Sequence, residues 1–134
     1  MDIFEAAALG KSGRVINLLN EKPDLDSAYT PDGFTHLGLV AFFSNPDIVE
    51  VLLEHGARAS QPSANVTHVQ PLHSAAASQQ LAIAEMLINA GAVVNARQQH
   101  DFTPLHAAAA NGQHAMVYLL LKWDADLTAA TENG

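Results

Sequence analysis

Residues 103–112 read TPLHAAAANG, and related stretches occur three more times along the chain. They read PLHSAAA at residues 71–77, LGLVA at residues 37–41 and IFEAAALG at residues 3–10. The anchor residues of the four copies are Ile3, Leu37, Leu72 and Leu105, so the copies lie 34, 35 and 33 residues apart. A nearly constant period of this length predicts a stack of small helical units. The function of such a stack is to be sought on its surface rather than in a catalytic pocket.

Each unit is predicted to contain two short helices. In the fourth unit, Thr103 is placed to cap the first helix, and Pro104 is tolerated in its first turn. Gly112 favours the left-handed conformation that ends a helix. Residues 114–122 then carry apolar side chains at helical spacing, which predicts the second helix. The repeated leucines, Leu105 and Leu120 among them, are expected in the shared core.

Several motif elements recur in register and resemble the ankyrin repeat family. They are TPLH at residues 103–106 followed by Gly112, GAVVN at residues 91–95, and IVEVLLEHGA at residues 48–57. The resemblance implies an all-α fold, an α-solenoid of stacked helix-turn-helix ankyrin-like repeats with short hairpin or turn connectors. It covers a single domain, residues 1–134, with repeats at about 1–29, 30–63, 64–97 and 98–130, and with 131–134 as the start of a further repeat.

Departures from the repeat pattern identify places where this chain differs from its relatives. His36 stands where the family has Pro and Gly38 where it has His, which predicts that the second unit lacks the usual hydrogen bonds at the start of its first helix. Gln79 replaces the Gly between the helices of the third unit, and Asp124 replaces a Gly in the fourth. The connector at residues 60–70 is also longer than the next one, so the stack is expected to be irregular there.

The composition limits the classes of partner. Six Lys and Arg residues against fourteen Asp and Glu residues give a net charge of -8, which argues against binding to the phosphates of DNA or RNA. The chain has no cysteine for disulfide or thiolate chemistry. No window approaches the length of an apolar membrane span, and the first residues do not resemble a signal peptide. Neither nucleic acid nor membrane insertion is expected, and the predicted location is the cytoplasm, or the nucleus in a eukaryote.

The histidines raise the alternative of a small metal-dependent enzyme. His73 and His106 occupy equivalent positions in adjacent units and are expected to lie near each other. No Asp, Glu or Cys recurs beside them to complete a metal site, and the resemblance implies a hydrogen bond from this His to the turn backbone. The chain also lacks a nucleophile elbow, a phosphate-binding Gly-rich loop and a zinc-protease motif. We expect no cofactor, no metal and no enzymatic activity.

The resemblance implies that a partner protein contacts the turn tips and the exposed side of each first helix. Three of the five phenylalanines fall on this surface in the second unit, and aromatic anchors commonly form interface hot spots. The alternative is that Phe42 and Phe43 pack between units or fill the space left by Gly38. The predicted partner-binding residues are Asp32, Phe34, Phe42, Phe43, Thr67, Val69, Ser78, His100, Phe102 and Asn111.

Three further expectations concern the context of the chain. The array is expected to be a protein–protein interaction module, and the alternative is a targeting or regulatory segment of a larger enzyme or channel whose activity lies beyond residue 134. Apolar residues on the second helix of the fourth unit predict self-association through an uncapped C-terminal repeat. Asn95 matches the Asn that asparaginyl hydroxylases modify in some animal members of the family, although a structural role in a turn is the stronger interpretation.

Overall fold

The computed structural model describes residues 13, 17, 29, 33–43 and 46–126, and it describes no side chain at residues 36, 39 and 43. The first predicted repeat therefore lies almost entirely outside the described residues. The remaining three repeats are described over nearly their whole length.

Three pairs of neighbouring helices make up most of the described part of the chain. The first pair is α1 (His36–Phe43) and α2 (Pro46–Glu54), the second is α3 (Pro71–Ala77) and α4 (Leu81–Asn89), and the third is α5 (Pro104–Ala110) and α6 (His114–Lys122). A short 3-10 helix at Gln99–Asp101 precedes α5. Within these residues the β structure is limited to one bridge, between Tyr29 and Thr35. The predicted all-α repeat solenoid is confirmed.

The helices begin and end where local backbone preferences place their boundaries. Pro71 and Pro104 lie in the first turns of α3 and α5, where the missing N–H removes no hydrogen bond. Gly112 follows α5 with a φ of +67°. Gln79 occupies the equivalent position after α3 with a φ of +65°, so a residue with a side chain adopts the left-handed conformation that glycine adopts in the next repeat.

The helices pack in two layers. The first helices of the repeats form one layer, in which α1 contacts α3 and α3 contacts α5. The second helices form the other, in which α2 contacts α4 and α4 contacts α6. Each repeat thus buries its apolar face against the neighbouring repeat, as in other solenoids.

Leucines at equivalent positions supply much of the core. Leu72 is 1% exposed and Leu120 is fully buried, as expected. Leu105 is only partly buried, but it packs against the core as expected. It belongs to the last helix pair in the described region, which packs against α3 and α4 on one side. Among the described residues, no helix is long and apolar enough to span a membrane.

Candidate partner-binding groove

A groove of about 450 Å³ runs along the first helices of the three described repeats. Its walls are mainly apolar, and its polar groups come from Thr, Ser, Gln and His side chains. The described residues that line it are Phe34, Thr35, Gly38, Phe42, Thr67, Val69, His73, Ser74, Ala77, Gln98 and Ala107. A concave, mostly apolar site with a few polar groups is the usual form of a binding site.

Gly38 lines the groove and contributes no side chain to it. The equivalent residues of the next two repeats are His73 and His106, whose imidazoles bond to the N–H groups of Gln70 and Thr103 at the helix starts. A Cβ atom built on Gly38 would lie 2.8 Å from the Oγ1 atom of Thr35, closer than real Cβ contacts. The Thr35 hydroxyl therefore occupies the side-chain direction of Gly38, and a side chain there would require Thr35 to shift.

The start of α1 is capped even though Gly38 replaces the usual His. The backbone N–H of Gly38 donates a buried 2.9 Å hydrogen bond to Thr35 Oγ1. The prediction that the second unit lacks its helix-start hydrogen bonds was therefore wrong for this bond. Thr35 supplies the cap by itself, because capping requires only a side-chain oxygen before the first turn.

The fourth repeat shows the complete capping arrangement. Thr103 Oγ1 accepts a hydrogen bond of 3.4 Å from the His106 N–H, and His106 Nδ1 accepts one of 2.9 Å from the Thr103 N–H. This reciprocal pair satisfies two backbone donors at the helix start. The second repeat keeps the threonine half of this arrangement and loses the histidine half, because glycine has no side chain.

His73 connects the third repeat to the fourth. It is 2% exposed, and its Nδ1 accepts a 3.1 Å hydrogen bond from the N–H of Gln70. Because Nδ1 is an acceptor, Nε2 carries the proton and donates to the carbonyls of Ala96 and Phe102, at 3.0 and 3.1 Å. Burial lowers the pKa of the His73 imidazole below its ordinary value, which keeps the ring neutral.

The predicted structural role of His73 is thus supported by three hydrogen bonds to the backbone. Within the described residues, no group of three or more His, Cys, Asp or Glu side chains is arranged to hold a metal ion. The His106 ring instead packs edge-on against Phe102, with 5.5 Å between the ring centroids.

The long connector at residues 60–70 is tied to the turns on both sides. The N–H of Ala64 donates to the carbonyl of Gly33 at 2.7 Å, and the N–H of Gln99 donates to the carbonyl of Thr67 at 2.8 Å. Inside the connector, Asn65 Oδ1 accepts hydrogen bonds from the Thr67 N–H at 3.2 Å and from the Ser63 hydroxyl at 2.7 Å. Successive turns therefore form one hydrogen-bonded edge beside the groove.

Comparison with protein-family models adds a match over nearly the whole chain. A model of ankyrin repeats in three copies matches residues 3–98, and a model of a single ankyrin repeat matches residues 100–132. The chain belongs to the ankyrin repeat family. A comparison with curated proteins finds no match. Ankyrin repeats are generally protein–protein interaction modules and are typically non-catalytic.

Four of the predicted partner-binding residues come together in the ankyrin groove. Phe34, Phe42, Thr67 and Val69 all line it, although they come from two repeats and the connector between them. Phe42 is 48% exposed and borders the groove beside Gly38, so it does not fill the space that Gly38 leaves.

Two other predicted residues lie at the turn of the fourth ankyrin repeat. His100 is exposed and has a φ of +66° within the 3-10 helix. Phe102 is 38% exposed and contacts His106 rather than the groove. Asp32 lies outside the described residues, and so does the side chain of Phe43.

Ser78 and Asn111 occupy equivalent positions after the first helices and bond to the preceding repeat. The Asn111 side chain donates a 3.1 Å hydrogen bond to the carbonyl of Ala77. The Ser78 hydroxyl lies 2.7 Å from the carbonyl of Ser74 and 3.4 Å from that of Ala41. These contacts help to hold neighbouring ankyrin repeats together.

Asn95 also links two repeats. Its Nδ2 donates to the carbonyl of Asp124 at 3.1 Å, and its Oδ1 accepts from the N–H of Asp126 at 2.7 Å. These two bonds give Asn95 a structural role within the stack.

The predicted partner-binding set did not include the other lining residues, which are Thr35, Gly38, His73, Ser74, Ala77, Gln98 and Ala107. Ser74 and Ala107 are equivalent positions on α3 and α5, so a comparison of the two repeats in register is the signal that could have found them. Gln98 lies in the connector before the fourth repeat, where no helical pattern indicates which residues face the groove.

Proposed function

We propose that this protein binds a partner protein through the groove, using Phe34, Phe42 and Val69 as the main apolar contacts. The observation that carries the proposal is the exposure of Phe42: a phenylalanine with 48% of its surface exposed borders a groove of about 450 Å³. Large aromatic side chains on such surfaces commonly supply most of the binding energy of an interface.

The hydrogen bonds along the turn edge support this function. The bonds from Ala64 to Gly33 and from Gln99 to Thr67 join the turns of successive repeats before any partner arrives. The backbone of this chain therefore needs little further ordering when the partner binds. Less of the favourable free energy of the contacts is then offset by lost conformational entropy.

The test is a quantitative pull-down from a cytosolic extract of the source cells, since the cytoplasm is the expected location. Wild type is compared with Phe42→Ser and with Val93→Ser. Val93 is an apolar residue with 52% exposure that does not line the groove, so it provides a matched control. The proposal predicts proteins that wild type and Val93→Ser retain and that Phe42→Ser loses. It is contradicted if all three recover the same proteins.

Self-association is a second candidate interaction, favoured by the exposure of two aromatic side chains near the end of the described region. Tyr118 on α6 is 71% exposed and Trp123 is 40% exposed. We propose that this face pairs with a second copy of the chain at high concentration. Sedimentation equilibrium tests it: a dimer weakened by Tyr118→Ser supports pairing, and a monomer at about 100 μM, well above a micromolar dissociation constant, contradicts it.

A further inference from the structure

Ser74 has a hydroxyl group that forms no hydrogen bond to any described residue. The residue lines the groove and is only 9% exposed. Its carbonyl accepts the hydrogen bond from Ser78, but its Oγ forms no hydrogen bond within the described parts of the chain. The hydroxyl is open to water, because Gln113 Nε2 is the one fully buried side-chain polar atom without a partner among the described residues. An occupant that displaces water from this hydroxyl loses affinity unless it supplies a hydrogen bond in its place, so one that bonds to Ser74 Oγ is favoured.

The lining of the groove selects an occupant without charge. None of the described lining residues is Asp, Glu, Lys or Arg. The one titratable side chain among them is His73, whose imidazole is committed to the backbone of Gln70, Ala96 and Phe102. A charged group entering this groove would lose water and gain no opposite charge, which is unfavourable.

The walls of the groove also select an aromatic ring. Phe34 and Phe42 both line it, together with Gly38 and Ser74. Aromatic rings gain additional stabilisation from offset or edge-to-face contacts with other rings.

We propose that the groove receives a tyrosine side chain from an uncharged segment of the partner protein, with the phenol hydroxyl bonded to Ser74 Oγ. This inference rests on the proposed function. Tyrosine fits because its hydroxyl lies at the far end of the ring and both donates and accepts hydrogen bonds. Phenylalanine would leave Ser74 without a partner, and the indole N–H of tryptophan lies at the side of its ring.

The experiment is an NMR titration of the full-length, 15N-labelled chain with N-acetyl-tyrosinamide. We expect saturable shifts of the Gly38 and Ser74 amide signals, with a dissociation constant on the order of 1 mM for a ligand of this size. N-acetyl-phenylalaninamide is expected to bind at least about threefold more weakly, since it lacks the hydroxyl that bonds to Ser74. The phosphorylated tyrosine analogue should not bind, because its charge finds no counter-charge.

Two variants test the geometry. Gly38→His adds a side chain at a position that lines the groove, as His73 does in the next repeat, and it should abolish tyrosinamide binding. In the fourth repeat a threonine and a histidine occupy these two positions with 3.4 Å between the threonine hydroxyl and the histidine N–H, so Gly38→His requires Thr35 Oγ1 to move away from its present 2.9 Å. Ser74→Ala removes only the hydroxyl and should make the tyrosine and phenylalanine analogues bind equally.

The outcomes separate this inference from the proposed function. It is overturned if tyrosinamide shifts no groove signal, if Gly38→His binds it as wild type does, or if Ser74→Ala leaves the preference for tyrosine unchanged. If Phe42→Ser loses partner binding and any of these results is also found, the proposed function is supported and only the tyrosine inference is overturned. Tyrosinamide binding with unchanged partner capture by Phe42→Ser would instead reject the proposed function.

Discussion

The Gly38 N–H lies 2.9 Å from Thr35 Oγ1, and this hydrogen bond caps α1 in the repeat that lacks the usual histidine. Thr35 is 3% exposed, so water does not readily replace the hydroxyl. We expect Thr35→Ala to lower the free energy of unfolding by about 1 kcal/mol. Thr35→Ser keeps the oxygen and should lose less. Urea denaturation of both variants checks this, and equal losses would show that the hydroxyl is not the stabilising group.

Gln79 and Gly112 adopt the same left-handed conformation at equivalent positions, with φ values of +65° and +67°. Because a side chain is unfavourable in this conformation, Gln79→Gly should stabilise the protein by about 1 kcal/mol. Gly112→Gln should destabilise it by a similar amount, since a Cβ there meets no atom within 4 Å and only the backbone cost remains. Thermal unfolding of both variants measures the two changes in stability. A loss of stability in Gln79→Gly would contradict this explanation.

Leu72 and Leu105 are equivalent leucines with different burial. Leu72 is 1% exposed, whereas Leu105 is only partly buried. We expect Leu72→Ala to cost about 3 kcal/mol of unfolding free energy, within the usual range for buried leucines, and Leu105→Ala to cost roughly half of that. Denaturant titration gives both values. A larger cost at Leu105 would contradict the described packing.

His73 should make the protein less stable in mild acid. Burial lowers its pKa in the folded state below the ordinary value of 6.5, and its three hydrogen-bond partners are neutral backbone groups. Above pH 6.5 the imidazole is neutral in both states and its contribution is complete. As the pH falls through 6.5, the unfolded chain binds a proton that the folded chain does not, so stability falls.

The slope from this one proton is at most about 1.4 kcal/mol per pH unit. Melting temperatures measured between pH 7.5 and pH 5.5 test the effect, with His73→Gln as the control. The variant starts from a lower stability but should lose less of it on acidification. A pH dependence that is the same in both proteins would assign the effect to other groups.

The sequence predicts the helical stack well because the determinants of each repeat are local. Residues 114–122 were predicted as a helix, and α6 spans His114–Lys122. The spacing of apolar side chains and the preceding Gly112 are sufficient for this, since each repeat contacts only its neighbours.

The helix start in the second repeat and the full set of residues that line the groove were harder to predict. The sequence shows that Gly38 removes the histidine half of the cap, but only the structure shows that the Thr35 hydroxyl caps α1 without it. Phe34 and Phe42 follow from the repeat register. The contributions of Ser74 and Ala107 depend on how three repeats stack, and that geometry is not encoded in any single repeat.

The central claim is that partner binding occurs in the groove, and the most direct measurement is the dissociation constant of the captured partner. Isothermal titration calorimetry compares wild type, the double variant Phe34→Ser with Phe42→Ser, and Val93→Ser. Loss of two aromatic contacts should weaken binding by at least about tenfold, which corresponds to about 1.4 kcal/mol, while helicity measured by circular dichroism stays the same. Val93→Ser should bind as wild type does. An unchanged dissociation constant in the folded double variant would contradict the account.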